Sequence, residues 1–205
     1  MTTARRRRRT GPGEGAGMKA QPRVQVVHWA PGRMRDRVEE AMAVYETAMA
    51  YPAGIGMQRA GYAVSHTRLP GFRAVAALDE QDRLVGFGYG YASRPGQWWH
   101  DQVQTAIGPG QAAYWLTSGF ELCELHVLPE HQGQGVGRQL LLTLAEAVDQ
   151  RRMLLSTPEG PTRAWRLYED VGFVSLARHY RFPGDARPFG ILAAELPLRW
   201  PPPPS

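Results

Sequence analysis

Apolar residues along this chain recur either at helical spacing or in short continuous runs. The first pattern predicts helices and the second predicts strands. Over 34–51, Val38, Met42, Tyr45 and Met49 recur at helical spacing, and Pro52 ends the pattern. Short apolar runs bounded by Gly, Pro or Asp are typical of strands. Strands are predicted over 24–29, 73–78, 84–91, 121–128, 153–156, 173–180 and 190–196, helices over 34–51, 54–64, 138–151 and 161–170, and 96–120 is the least regular segment.

The predicted order is β-α-α-β-β-β-α-β-α-β-β, which describes an α/β domain with a mixed sheet. The 205 residues suit a single domain, assigned to 22–198 between an Arg/Gly-rich tail over 1–21 and a Pro-rich tail over 199–205. The first tail has no apolar periodicity and is expected to be disordered. Its first 17 residues hold five Arg and one Glu, a net +4 of the chain's +5.

The arginine run from Arg5 to Arg9 has two interpretations. It could bind nucleic acid or an anionic membrane, or it could precede the true translation start at Met18. We favour the second, so nucleic acid is not an expected partner. No apolar segment follows the run, and no stretch approaches the ~20 apolar residues of a membrane span. We therefore expect a cytoplasmic protein.

Two further classes of chemistry are not expected from the composition. The single cysteine, Cys123, allows no intramolecular disulfide, and its apolar surroundings predict a buried, inert thiol. The histidines His28, His66, His100 and His179 are scattered and no second cysteine accompanies them, so no metal site is expected.

A glycine-rich turn between a strand and a helix is the strongest functional signal. Backbone N–H groups of such a loop and of a helix N-terminus can converge on a phosphate. A Walker loop is excluded because Gly137 is followed by Arg138 and Gln139. A dinucleotide G-x-G-x-x-G pattern is excluded as well, which leaves the spacing Gln132-x-x-Gly135-x-Gly137.

That spacing resembles the pyrophosphate loop [QR]-x-x-G-x-[GA] of the GNAT-superfamily N-acetyltransferases. A second segment, Ala164-Trp-Arg-Leu-Tyr168-Glu-Asp-Val-Gly172-Phe173, is similar to the family's A-x-x-L-Y-x-x-x-G-F, and the two occur in the family's order over about 73–182. The resemblance implies one α/β domain (α+β in some schemes) whose mixed, mostly antiparallel sheet has about six to seven strands flanked by helices. It also implies acetyl-CoA as co-substrate.

The resemblance assigns the coenzyme contacts by position. In the family, the central strand splays from its neighbour and its free backbone pairs with the pantetheine arm. Here Leu125, His126 and Val127 would provide those groups. Six consecutive residues would wrap the pyrophosphate, with Arg138 adding a positive charge: Gly133, Gln134, Gly135, Val136, Gly137 and Arg138. Gln132, the first residue of the motif, is counted with the coenzyme-binding residues, and it and His131 are expected to position the loop.

Acetyl transfer requires a neutral amine, yet an alkylamine with a pKa of about 10.4 is almost entirely protonated at neutral pH. A carboxylate can accept that proton. Glu124, in the middle of the central strand, is the predicted base; Glu121 is its rival and His126 could relay the proton. Strand alternation would place the two glutamates on opposite faces, unless a bulge interrupts the strand.

Tyr168 resembles the family's tyrosine that protonates the departing thiolate. Trp98, Trp99 and His100 precede the central strand and could contact the acceptor or belong to the core. The sequence thus predicts an N-acetyltransferase acting on a primary amine, which could belong to a small molecule, an aminoglycoside-like compound or a protein. The alternative is a non-catalytic acyl-CoA-binding module. A homodimer remains open.

Overall fold

A computed structural model describes residues 23–200. The predicted tail 1–21, and all but two residues of the tail 199–205, lie outside this range. Strands within it are β1 (Gln25–Trp29), β2 (Arg73–Leu78), β3 (Leu84–Ala92), β4 (Gly119–Val127), β5 (Arg152–Pro158), β6 (Val174–Tyr180) and β7 (Phe189–Glu195). Helices are α1 (Pro31–Asp36), α2 (Val38–Ala48), α3 (Ile55–His66), α4 (Trp98–Trp115), α5 (Val136–Glu146) and α6 (Arg163–Asp170), with a short 3-10 helix at Pro129–His131.

The seven strands form one sheet in the order β1-β2-β3-β4-β5-β7-β6. Every neighbouring pair is antiparallel except β4 and β5, which are parallel. Helices α5 and α6 pack on one face of the sheet, where Leu140, Leu141 and Leu144 are fully buried. Helices α1, α2 and α3 cover the opposite face around Phe87. The predicted mixed, mostly antiparallel sheet is confirmed.

Strands β4 and β5 separate after three residue pairs, the last of which joins Glu121 to Leu154. Beyond it, β4 continues to Val127 and β5 to Pro158 without pairing to each other. Backbone groups on the β5-facing edge of β4 therefore have no partner in the sheet. Because an unpaired backbone group needs water or a ligand, this gap is the place to look for a bound molecule.

Helix α4 corrects the description of 96–120 as irregular. Two helical pieces meet at Gly108, whose φ of 75° and ψ of 166° are not helical, and Pro109 begins the second piece. Gly108-Pro-Gly110 has the composition of a loop, but buried Trp99 and Val103 anchor the first piece against Ile191. Tertiary packing outweighs the low helix propensity of the glycines and the proline.

Two predicted helices have different bounds in the structure. The segment 34–51 forms α1 and α2, which are separated at Arg37 (φ −114°, ψ 22°). The Arg37 guanidinium pairs with Glu40 and Asp82, so its side chain holds the break in place. Helix α5 begins two residues before the predicted 138 and ends five before 151. Among residues 23–200, no helix is long and apolar enough to cross a membrane.

Candidate active site

The glycine-rich turn shapes the start of α5 through two residues with positive φ. Gly133 has a φ of 75° and Gly135, the N-cap residue, has a φ of 85°. No side chain caps the helix, so its first N–H groups, beginning with Val136, are free to bind an anion. Gly137 differs, because a Cβ there would make only ordinary contacts with Leu167 and Val127. Of the three glycines in this turn, Gly133 and Gly135 are the two whose backbone conformation favours glycine.

Hydrogen bonds from side chains hold this loop against the end of β4. Gln132 Nε2 donates to the Val127 carbonyl at 2.9 Å, and Arg163 donates to Gln132 Oε1 at 3.5 Å. Gln134 Nε2 donates to the Glu130 carbonyl at 2.8 Å. Gln132 and Gln134 therefore act on the loop itself, and the predicted anion contacts rest on backbone N–H groups and Arg138.

Arg138 lies at the opening of the loop, stacked on an aromatic ring. Its guanidinium carbon is 3.8 Å from the centre of the Trp200 ring. Its buried Nε has no hydrogen-bond partner within residues 23–200. The side chain thus carries an uncompensated positive charge beside the first turn of α5, where an anionic ligand would bind.

A cavity of about 1540 Å³ occupies the gap between β4 and β5. One part, the loop half, is lined by Gln132, Gly133, Gly135, Gly137, Arg138, Arg163 and Tyr168. The other part, the tyrosine half, is lined by Tyr45, Tyr51, Arg59, Tyr62, His66, Asp185 and Arg187. Leu125, His126 and Val127 border the cavity, whereas Gln134 does not and the Val136 side chain is buried in the core.

A bulge in β4 decides where the two candidate glutamates point. Tyr89 pairs with Glu124 and Gly90 with Leu122, so Cys123 is the extra residue. Across the bulge, Glu121 pairs with Tyr91, and Tyr89 and Tyr91 lie on the same face of β3. Glu121 and Glu124 consequently share the face covered by α2 and α3. Simple strand alternation would have separated them.

Glu124 forms a close pair with a histidine inside the cavity. Its Oε2 lies 2.6 Å from His126 Nε2, and the two side chains are 16% and 11% exposed. The ring of Tyr45 meets the His126 ring edge-on, with 5.0 Å between centroids. A carboxylate and an imidazole so placed can take up a proton from a bound amine and share it.

Glu121 lies deeper, in a setting that opposes ionisation. It accepts a hydrogen bond from the Tyr91 hydroxyl at 3.1 Å, and its Oε2 has no partner within residues 23–200. Burial raises the pKa of Glu121 to about 8, with a further contribution from the charge of Glu124, although the Tyr91 hydrogen bond acts in the other direction. A carboxyl that keeps its proton at neutral pH is a poor proton acceptor, which favours Glu124 over Glu121 as the base.

Tyr168 reaches the cavity from α6, which Thr162 caps by accepting a hydrogen bond from the Trp165 N–H at 3.1 Å. The side chain is buried and its ring lies 5.5 Å from that of Phe173. Burial, and then the nearby charge of Glu124, hold the pKa of Tyr168 well above its ordinary value. The phenol therefore keeps its proton and can donate it.

Trp98, Trp99 and His100, which precede β4, differ in their exposure and in their contact with the cavity. Trp98 is 57% exposed, lies 5.7 Å from Phe182 and lines the cavity. Trp99 also borders the cavity but is nearly buried, with Nε1 donating to Ser156 Oγ at 3.0 Å. His100 is buried and pairs with Ser93 Oγ at 2.9 Å, away from the cavity lining. Trp99 and His100 are therefore buried, and Trp98 is the exposed member of the three.

Most of the tyrosine half was not singled out by the sequence as a site. Tyr45 was assigned only to a helix face, and Arg59 and Arg187 carried no motif. Arg59 Nη1 donates to the Tyr45 hydroxyl at 3.0 Å, and Arg187 Nη1 donates to the Tyr51 hydroxyl at the same distance. Each pair joins residues from separate parts of the fold, so no local sequence pattern could indicate these contacts. Within residues 23–200, no group of three or more His, Cys, Asp or Glu side chains could hold a metal ion.

Comparisons with known proteins agree with this geometry. Residues 71–175 match the family model described as an acetyltransferase (GNAT) domain. A GCN5-like protein acetyltransferase of Mycobacterium tuberculosis is 41% identical over 197 residues, covering 82% of this chain and 96% of that protein.

Solved structures share the fold at low sequence identity. A putative GNAT-family acetyltransferase from Desulfovibrio desulfuricans has a TM-score of 0.60 at 17% identity, over 84% of this chain and 99% of that one. The structure of yncA, described as a putative acetyltransferase from Salmonella typhimurium with its cofactor acetyl-CoA, has a TM-score of 0.57 at 17% identity, over 86% of this chain and 95% of that one.

Proposed function

The chain belongs to the GNAT family of acetyl-CoA-dependent N-acetyltransferases, and from that premise we propose that it acetylates lysine side chains of proteins, with Glu124 as base and Tyr168 as acid. One observation carries the proposal. Glu124 and Tyr168 line a single cavity, which is bordered by the glycine-rich loop on one side and by a set of tyrosines on the other.

The loop half fits acetyl-CoA in its charge and in its hydrogen-bonding groups. The free N–H groups at the start of α5 and the guanidinium of Arg138 suit a pyrophosphate. The unpaired edge of β4 over Leu125 and His126 suits the amide groups of a pantetheine arm. The Val127 carbonyl is already bonded to Gln132, so the neighbouring groups would make most of these contacts.

The tyrosine half fits a long, flexible amine. Glu124 is only 16% exposed, so the amine must enter the cavity to reach it. A lysine carries its amine on a four-carbon stem, which can pack along tyrosine rings while the charged end reaches the carboxylate. The M. tuberculosis relative is named a protein acetyltransferase, which supports a protein acceptor over a small amine.

The chain's own residues then divide the proton transfers between them. Glu124 accepts the proton of the acceptor ammonium, and His126, 2.6 Å away, stabilises the protonated carboxyl or passes the proton on. A free backbone N–H on the edge of β4 can donate to the acetyl oxygen. As the carbon–nitrogen bond forms and the carbon–sulfur bond breaks, the Tyr168 hydroxyl donates its proton to the sulfur. The newly acylated nitrogen releases its second proton, which returns to the Tyr168 phenolate through solvent and leaves a neutral amide.

A panel of acceptors tests the proposal. Purified protein and acetyl-CoA would be incubated with lysine peptides blocked at the N-terminus, with lysine-free peptides bearing a free N-terminus, and with small polyamines, and products would be identified by mass spectrometry. We expect acetylation of the lysine peptides above the other two. Preferential acetylation of free N-termini or of polyamines would overturn the lysine assignment, and acetyl-CoA binding without turnover of any acceptor would indicate a binding module.

A further inference from the structure

The two arginines of the tyrosine half differ in how their charges are balanced. Arg187 forms a fork with Asp185, with Nη2 2.6 Å from Oδ2 and Nε 3.0 Å from Oδ1, and it also bonds to Tyr51. Arg59 bonds only to the Tyr45 hydroxyl, at 3.0 Å, and forms no ion pair with any carboxylate in residues 23–200. Arg59 therefore keeps most of its donors free.

Arg59 lies close to the proposed base through a short series of contacts. Its guanidinium carbon is 5.4 Å from the centre of the Tyr45 ring, and Tyr45 contacts His126, the partner of Glu124. Burial acts to lower the pKa of Arg59, but the negative charge of Glu124 and the contact with Tyr45 outweigh it, so the net direction is upward. The guanidinium stays charged beside the site of proton transfer.

Proton transfer to Glu124 removes the negative charge that acts most strongly on Arg59. Glu124 is the carboxylate whose charge acts most strongly on Arg59, and Asp185, whose charge also interacts with Arg59, is held in the fork of Arg187. When Glu124 takes the proton of the amine it loses its negative charge. A carboxylate brought in by the acceptor would then offset Arg59, and a guanidinium fork matches a carboxylate in shape and in donor number.

We propose that the enzyme prefers acceptor lysines with an Asp or Glu beside them in the acceptor chain, and that Arg59 binds that carboxylate. The inference rests on the proposed function, because it presumes a peptide acceptor in the tyrosine half. It adds a specificity determinant to the site: an arginine that selects the residue next to the acetylated lysine. Arg59 lines the cavity from α3, and part of its side chain is exposed to solvent.

Three blocked peptides with one lysine each would test the inference, with aspartate, alanine or arginine on both sides of the lysine. We expect the parent to have a kcat/KM about tenfold higher for the aspartate peptide than for the alanine peptide, mostly through KM. Arg59→Ala should make the two equal. Arg59→Glu should reverse the order, so that the arginine peptide is preferred.

Arg68→Glu is the matched control, because Arg68 is an exposed arginine just beyond α3 that does not line the cavity. It should keep the preference of the parent. Thermal melting would check the fold of each variant, with Arg59→Gln in reserve should the charge reversal unfold the domain. Equal rates for the three peptides with the parent, or a preference for aspartate that survives Arg59→Ala, would overturn the inference and leave the proposed function standing. A parent that acetylates no peptide would overturn both.

Discussion

The two halves of the cavity are built by different means. Most of the loop half comes from one short segment between Gln132 and Arg138, joined by Arg163 and Tyr168 of α6, and it presents mainly backbone N–H groups at the start of α5. The tyrosine half is made of side chains from separate elements, such as Arg187 and Tyr51, which are 136 residues apart in the chain. A backbone site is fixed by local conformation, whereas a side-chain site depends on the whole fold. The first suits an invariant coenzyme and the second a selected acceptor.

The largest effect is expected at Glu124, where the halves meet. Replacing Glu124 with Gln removes the proton acceptor while keeping the size of the side chain, and kcat for a lysine peptide should fall by about 10² to 10⁴. Acetyl-CoA affinity, measured by calorimetry, should stay near that of the parent because the loop half is untouched. An unchanged kcat would remove Glu124 from the mechanism. Glu121→Gln, measured beside it, should retain most of the activity.

A substitution in the glycine-rich loop should weaken acetyl-CoA binding without altering the tyrosine half. Gly135→Val places a β-branched residue at a φ of 85°, a conformation that costs about 1–3 kcal/mol for non-glycine residues. If the loop shifts to relieve this strain, acetyl-CoA affinity should fall about 10- to 100-fold by calorimetry.

The matched control for this change is Gly54→Val. Gly54 is the N-cap of α3, has a φ of 94° and lies outside the cavity lining. It should lower the thermal stability by a similar amount and leave acetyl-CoA affinity unchanged. Equal losses of affinity in the two variants would mean that strain, and not the shape of the loop, explains the effect.

A smaller effect is expected at Tyr168. Tyr168→Phe removes one hydroxyl and keeps the ring that packs near Phe173, so the fold and acetyl-CoA affinity should persist. We expect kcat to fall about tenfold, which is less than the ~10² to 10⁴ typical for the loss of a general acid, because water can substitute for the hydroxyl. Tyr114→Phe, on the exposed surface of α4, provides a comparison that should match the parent. Indistinguishable kcat values for the two variants would contradict the proposed acid role.

The effect with the least influence on catalysis concerns stability and its dependence on pH. Glu121 has a pKa raised from 4.5 to about 8 in the folded protein. Between these values the folded state holds a proton that the unfolded state has released, so stability falls as pH rises, by at most about 1.4 kcal/mol per pH unit.

Glu121→Gln should flatten that decline and stabilise the protein at the upper end of the range, as measured by urea unfolding at several pH values. The exposed Glu130→Gln variant should keep the slope of the parent. A slope unaffected by Glu121→Gln would show that Glu121 is already ionised.

How far the sequence could predict the site follows from the same contrast. The strand–turn–helix pattern placed the start of α5 after the glycine-rich turn within two residues of its position, because glycine spacing and apolar periodicity are local signals. The bulge at Cys123 was recognised as a possibility but depended on pairing with Tyr89, which only the sheet supplies. Helix α4 was missed because Gly108 and Pro109 mimic a loop. The place of Arg59 in the site depends on its hydrogen bond to Tyr45 of α2 and on the charge of Glu124 of β4, and the sequence does not show that these elements meet.

One ligand would test directly whether the two halves act as a single site. In a bisubstrate conjugate, coenzyme A is joined through an acetyl bridge to the lysine nitrogen of the aspartate peptide, and its dissociation constant would be measured by calorimetry. We predict binding at least about 100-fold tighter than that of coenzyme A alone, because the conjugate fills both halves at once. Gly135→Val and Arg59→Glu should each weaken it. Binding no tighter than that of coenzyme A, and insensitive to Arg59→Glu, would contradict the account.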